Sequence, residues 1–363
     1  MTTSRLFFSR ICTLAALCAG TLCAAQSSIP LPAAATAKAA APAAIPTLRV
    51  DAAAKTGYTT VQAAVDAAPE TGAVILIAKG TYREVVKIHK SNITLRGDDP
   101  DASKTVIVFD HNAGENGGTQ ASATVSVYTD DFHADHITFA NDFNRTHPQT
   151  REGSQALALL LHGDRNVLRH VILLGNQDTL FAGHQGCMTA GKDCSPARSY
   201  FSDCLIAGNV DFIFGDGAVV FDHCEIRSTS HGPGGFITAQ SRVAPDEPGS
   251  VYVFTHCTLT AESGAGSVFL GRPWRPYATV IYLHTVMGDQ IDPAGWHEWH
   301  PGETTSLETA TYAEFDSTGP GATPGKLAQR EPHSKQLTAA EAEAYSTHAV
   351  LGGSDNWDPE KVR

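Results

Sequence analysis

Six stretches of the chain share one pattern: FHADHITF, VLRHVILL, YFSDCLIA, VFDHCEIR, VFTHCTLT and IYLHTVMG. In each, a His or Asp follows a strand-like run, and a second short run comes after it. The repeated residues are His136, His170, Asp203, His223, His256 and His284, separated by 34, 33, 20, 33 and 28 positions. Propeller blades and helical arrays keep stricter periods. Irregular steps above a floor of about 20 residues suit a parallel β-helix, whose coils combine short strands with loops of any length. Residues that recur on every rung cannot all serve one site, so they read as a turn or polar ladder and not as catalysts.

The rest of the chain fits one all-β domain. Charged residues make up only 18% of its 363 residues and there are 32 glycines, as expected for many tight turns and little exposed helix. A formal net charge of −12 argues against nucleic acid as a partner. The N-terminus places Arg5 and Arg10 before a short apolar run ending in small residues around Ala25. That layout predicts a secretory signal peptide over 1–25, and a secreted product, extracellular or periplasmic, with no membrane attachment after cleavage. The apolar run is short for a transmembrane helix, and no comparable segment follows. Leu17 and Leu22, before Cys18 and Cys23, argue against a lipoprotein cysteine.

Residues 26–47 are Ala/Pro-rich and read as a linker, leaving 48–363 as the folded domain. YTTVQAAVDAAP predicts a short helix capped by Thr59 or Thr60, with Pro69 beyond it. SKQLTAAEAEAYSTHAVL has helical spacing and is expected to pack over the coils or cap their end. Cleavage of the leader would leave five cysteines. Cys187 and Cys194 bracket a short loop, and Cys204 and Cys224 lie one coil apart, so these are the expected disulfides, with Cys257 free. Zinc is the alternative, but no CxxC pair is present.

Polar residues interrupt apolar strands at LLGNQDTLFAG and NVDFIFG. A carboxylate there needs a partner, because burying an unpaired charge is costly. Asp178 follows His170 by eight positions and Asp211 follows Asp203 by eight, so stacked coils make them neighbours about 4.8 Å apart. Close carboxylates push one pKa up and leave an acid beside a base. FLGRPWRPY offers Arg272 as a two-pronged counter-charge and Trp274 as a flat apolar face. Gln155 lies 15 positions before His170, and spacing alone does not place it. An Asp–Asp–Arg set with Gln155 and Gln177 suggests a hydrolase; the competing reading is a buried ion-pair network. The serine motif G-x-S-x-G is absent, and HEWH at 297–300 lacks the spacing of a zinc-binding HExxH.

GTYREVV, SQALALLLHGDR, GNQDTLF, NVDFIFG, GFITAQSR, LGRPWRPYATVIYL and GWHEW occur in the order found in pectin methylesterases (pectinesterases). From about residue 48 to its end the chain resembles this family, in its bacterial type. The resemblance implies a single-stranded right-handed parallel β-helix with a short N-terminal helix and a C-terminal helical segment. It implies no cofactor or metal requirement, and hydrolysis of galacturonate methyl esters in pectin.

Carried over by position, Asp211 matches the nucleophile that forms an acyl-enzyme. Asp178 matches the acid that protonates methanol and then the base that activates water. Gln155 and Gln177 match the oxyanion donors, and Arg272 the group that keeps Asp211 ionised. Trp274, Phe181 and Phe214 match aromatic positions beside the sugar subsites. Asn209 stands where the family commonly has Thr, and GHQGCMTAGKDCSPAR lengthens the loop after QDTLF. The expected partner is methyl-esterified homogalacturonan, bound by a monomer, and the acidic net charge suits a highly methylated stretch. Two rivals share the architecture. A polysaccharide lyase needs an Arg or Lys base and often carboxylates for calcium, whereas GDDPD and YTDD read as turns. The other is an esterase of the same build with an altered substrate.

Overall fold

The computed structural model describes residues 45–362 except 55, 151, 185–194, 231–233 and 248. The expected signal peptide, nearly all of the linker and the Cys187–Cys194 pair lie outside the described residues. Short strands wind into a parallel β-helix with three sheets. The long sheet has eleven strands, from Thr47–Val50 to Lys335–Gln336. A second has eight, from Gly80–Arg83 to Val286–Met287, and the short sheet has seven, from Val86–Ile88 to Val268–Gly271. Strands inside each sheet pair in parallel with their equivalents on the coils before and after, as Arg198–Ser202 does with Asn166–Arg169 and Ala218–Asp222.

The repeated His and Asp residues are the one-residue turns that leave the long sheet. His136, His170, Asp203, His223, His256 and His284 all have φ between 49° and 53°, and Asp316 continues the series at 51°. Left-handed backbone is costly for most side chains, and Asn, Asp and His are enriched among the exceptions. Their recurrence is therefore a backbone requirement. The imidazoles then stack on neighbouring rungs, His136 on His170 at 4.4 Å and His223 on His256 at 4.9 Å.

The residue after each turn points into the core. In three successive coils it is Cys204, Cys224 and Cys257, all buried and all free thiols. The expected Cys204–Cys224 disulfide is therefore absent. Equivalent rung positions have parallel Cβ directions about 4.8 Å apart, beyond the roughly 3.5–4.5 Å Cβ separation of a disulfide. Each thiol instead donates to a carbonyl of the preceding coil: Cys204 to Leu168 (3.5 Å), Cys224 to Phe201 (3.6 Å) and Cys257 to Phe221 (3.3 Å). The same in-register stacking runs through Phe201, Phe221, Phe254 and Tyr282, with ring centroids 4.9, 4.5 and 4.6 Å apart. Offset stacking of this kind adds to the area these rings bury.

Val61–Ala67 is the N-terminal helix, and the Thr60 hydroxyl caps it by accepting from the Ala63 N–H (3.3 Å). Its Val61, Ala64 and Val65 are buried against the first strands of the stack. The C-terminal segment is not one helix. It runs as Ala339–Ala342, then Glu343–Tyr345, and breaks before Thr347–Leu351 because Ser346 is extended (φ −60°, ψ 154°). A capping box between Thr338 and Glu341 starts the first turn. Ala342 and Leu351 pack with Val220, Val253 and Ile281 on the outer face of the long sheet. Among the described residues no helix is long and apolar enough to cross a membrane.

Denaturing alkylation without reductant, followed by peptide mass spectrometry, tests the thiol ladder. Cys204, Cys224 and Cys257 are expected to be recovered as alkylated thiols. Recovery of disulfide-linked peptides carrying any two of them would contradict the stacking account.

Candidate active site

The short sheet positions both aspartates. Asp178 precedes strand Leu180–Ala182 and Asp211 precedes Ile213–Gly215. Leu180 pairs with Ile213 and Phe181 with Phe214, and the Asp178 N–H donates to the Val210 carbonyl (3.1 Å). The two aspartates thus occupy equivalent positions on adjacent rungs. Both have left-handed backbone, φ 63° for Asp178 and 50° for Asp211, where a short polar side chain is tolerated.

Arg272 arrives from two rungs further on. It follows Val268–Gly271, and its N–H donates to the Thr238 carbonyl (3.0 Å) in the strand between. Its Nε and Nη2 donate to Asp211 Oδ1 (2.9 Å) and Oδ2 (2.6 Å), the two-pronged geometry that only a guanidinium provides. Its Cζ stands 4.0 Å from the Phe236 ring centroid and 4.4 Å from that of Trp299, so two aromatic faces hold the cation in place.

Burial and charge split the two carboxyls. Asp178 is 9% exposed and Asp211 5%. Burial pushes the Asp178 carboxyl well above its ordinary range; the neighbouring Asp211 charge pushes the same way, and Arg272 opposes. Burial also raises Asp211, but the hydrogen bonds and charge of Arg272 pull it back. As pH rises, Asp211 ionises first and Asp178 keeps its proton longer. The pair presents a carboxylic acid beside an oriented carboxylate.

The glutamines flank this pair. The Ala156 N–H donates to the Gln177 carbonyl (3.2 Å), which brings Gln155 to the rung next to Gln177. Both side chains are partly exposed, and neither amide group hydrogen-bonds to the described residues. Phe181 and Phe214 stack edge-on along the outer face of the short sheet (5.2 Å), and Phe214 meets half-buried Trp274 at 5.9 Å. Phe181 itself has no exposed surface; it lies beneath Phe214 and against His162. Phe212 and Ile213 face the core.

Sequence reasoning missed Phe236 and Trp299. Trp299 touches both Arg272 and Trp274, the latter at 6.4 Å. Its signal was a Trp closing the polar stretch GWHEW, and Phe236 lies in GFITAQSR.

The raised Asp178 pKa has a stability consequence. The folded state holds this proton more tightly than the unfolded chain, so native stability falls as pH climbs from about 4 through the raised value. Asp178→Asn removes that titration. Calorimetric melts are expected to match wild type near pH 4 and to exceed it by a few degrees at pH 8. A variant that melts below wild type at pH 8 would contradict the assignment.

Comparison with known proteins adds a separate line of support. The pectinesterase family model matches residues 48–354. Pectinesterase 31 of Arabidopsis thaliana is 33% identical over 322 residues, covering 84% of this chain and 90% of that protein. Pectin methylesterase from carrot superposes with a TM-score of 0.75 at 30% identity, over 87% of this chain and 96% of that one. A pectin methylesterase solved in complex with hexasaccharide VII superposes with a TM-score of 0.68 at 28% identity, over 86% of this chain and 98% of that one. With a family match across most of its length and relatives of this identity and coverage, the chain belongs to the pectinesterase family.

Proposed function

We propose that this protein hydrolyses the methyl esters of galacturonate in pectin, with Asp211 as nucleophile and Asp178 as acid and base. The observation that carries the reading is the two-pronged Arg272–Asp211 ion pair beside the buried Asp178 carboxyl, whose pKa burial pushes up. An oxygen of Asp211 attacks the ester carbonyl carbon, and the amides of Gln155 and Gln177 donate to the resulting oxyanion. Each such donor is worth roughly 3–4 kcal/mol in the transition state. The intermediate collapses by breaking the carbon–methoxy bond, and Asp178 delivers its proton to the leaving oxygen, releasing methanol. The acyl group now sits on Asp211 as a mixed anhydride. Asp178, now ionised, takes a proton from water, whose oxygen attacks the acyl carbon. The bond between the acyl carbon and the Asp211 oxygen breaks, Asp211 regains its charge beside Arg272, Asp178 keeps the proton taken from water, and the galacturonic acid released loses water's other proton to solvent.

Phe214, Trp274 and Trp299 form the apolar wall against which a sugar face can lie, and Phe181 supports it from below. The hexasaccharide bound to the related pectin methylesterase is in keeping with an oligosaccharide-sized groove. The net charge of −12 favours a highly methylated, near-neutral segment over a de-esterified one. We place the enzyme outside the cell as a monomer, exported by the 1–25 signal peptide and tethered by no membrane segment.

The test is methanol release from highly methylated pectin by folded variants. Asp211→Asn and Asp178→Asn are each expected to lower kcat by about 10²–10⁴, with no unsaturated chain ends formed by any variant. Arg272→Lys weakens the hold on Asp211 and is expected to move the acid limb of the pH–rate profile to higher pH. Near wild-type methanol release by either aspartate variant would overturn the roles. Unsaturated ends from the wild type would point to a lyase, and release from another methyl ester in preference to pectin would point to an altered substrate.

A further inference from the structure

The opposite ends of the same two strands hold a second cluster of titratable groups. His184 follows Leu180–Ala182, Asp216 follows Ile213–Gly215, and Glu247 comes from the loop after Gly235–Gln240. His184 is 4% exposed and Asp216 fully buried. Each carboxylate has one oxygen spare. The backbone N–H of His184 donates to Asp216 Oδ1 (2.8 Å), and the backbone N–H of Val243 donates to Glu247 Oε2 (2.7 Å). The remaining atoms, His184 Nδ1, Asp216 Oδ2 and Glu247 Oε1, are all buried and have no hydrogen-bond partner. His184, Asp216 and Glu247 each offer one ligand atom within 4.8 Å of those of the other two.

Buried polar atoms are nearly always paired, and here the only relief is a 3.3 Å contact between His184 Nδ1 and Asp216 Oδ2 that makes no hydrogen bond, while Glu247 Oε1 has none, which calls for a further partner. Two of them belong to carboxylates, and among the described residues no Lys or Arg pairs with either. We propose that His184, Asp216 and Glu247 form a structural site for a divalent transition-metal cation, with zinc the best fit. Two carboxylates neutralise its charge, and neutral imidazole nitrogen favours it over calcium, which takes six to eight oxygens. Tetrahedral zinc with bonds of about 2.0–2.1 Å separates its ligand atoms by roughly 3.3 Å. His184 Nδ1 and Asp216 Oδ2 already stand 3.3 Å apart. Water would complete the coordination.

The surroundings hold these ligands in place. The Tyr252 hydroxyl donates to the Ala182 carbonyl (2.8 Å), and His162 Nδ1 pairs with the Gly183 carbonyl (2.9 Å). A Cβ on Gly183 would stand 2.1 Å from Asp216 Oδ1, so only glycine allows this approach. The cation would join the loop after Leu180–Ala182 to the loop carrying Glu247. His184 lies six positions along the chain from Asp178 and Asp216 five from Asp211, about 16–20 Å when extended, so the cation takes no part in the ester chemistry.

The full chain, stripped with EDTA and desalted, is titrated with zinc by calorimetry and melted with and without one equivalent. Wild type is expected to bind one zinc tightly and to melt several degrees higher with it. Glu247→Gln keeps the Val243 hydrogen bond and should melt like the metal-free wild type, but bind zinc about 100-fold more weakly. His184→Gln should weaken binding likewise. The exposed cluster of Asp222, His223 and His256 is the control, so His223→Ala/His256→Ala should retain the tight site. No tight zinc in wild type, or undiminished binding in Glu247→Gln, overturns the proposal. So does loss of tight binding in the His223/His256 variant alone.

Discussion

Everything in this molecule depends on parallel strands stacking in register from coil to coil. Backbone hydrogen bonds fix rungs about 4.8 Å apart, so residues one coil apart in sequence become neighbours in space. The pairing of Leu180 with Ile213 makes neighbours of Asp178 and Asp211. Two further steps bring Arg272 to the same face. The thiol ladder, the Phe201–Phe221–Phe254–Tyr282 stack and the His ladder are other columns of the same lattice. Rigidity follows from closure into coils, and rigid elements hold functional groups to the tolerance that chemistry needs.

The lattice brings two buried carboxyls together and supplies one cation. Arg272 bonds Asp211 alone, so the cost of ionising the pair is divided unequally. That asymmetry leaves two chemically identical side chains with unequal hold on their protons, the difference on which the proposed acid and nucleophile roles rest. The aromatic faces of Phe236 and Trp299 matter because they fix the guanidinium, which would otherwise be free to bridge both carboxylates. At the other end of the same strands His184, Asp216 and Glu247 converge with no Lys or Arg beside them among the described residues, and it is there that we place an external cation.

The sequence made the coils legible because the left-handed turn admits few residue types, so His and Asp recur at successive exits from the long sheet between His136 and Asp316. Equal offsets from those turns placed Asp178 opposite Asp211, since an in-register stack converts spacing into proximity. Gln155 had no such offset, and only the Ala156–Gln177 hydrogen bond locates it. The Cys204–Cys224 expectation failed because rung proximity was taken as sufficient, whereas parallel Cβ directions keep the sulfurs engaged with carbonyls. Helical spacing near the C-terminus was real, but Ser346 divides it. Trp299 and the Glu247 contact to the His184–Asp216 pair come from loops, whose paths no repeat encodes.

The unequal division of charge between Asp178 and Asp211 is the central claim, and site-resolved titration of their carboxyl carbons tests it most directly. With selectively ¹³C-labelled aspartate, and Asp178→Asn and Asp211→Asn for assignment, carboxyl shifts are followed by NMR across pH. Asp211 is expected to ionise first and Asp178 at distinctly higher pH, and Arg272→Lys should narrow the gap by raising Asp211. Ionisation of Asp178 before Asp211, or of both in the ordinary range near 4, would contradict the account.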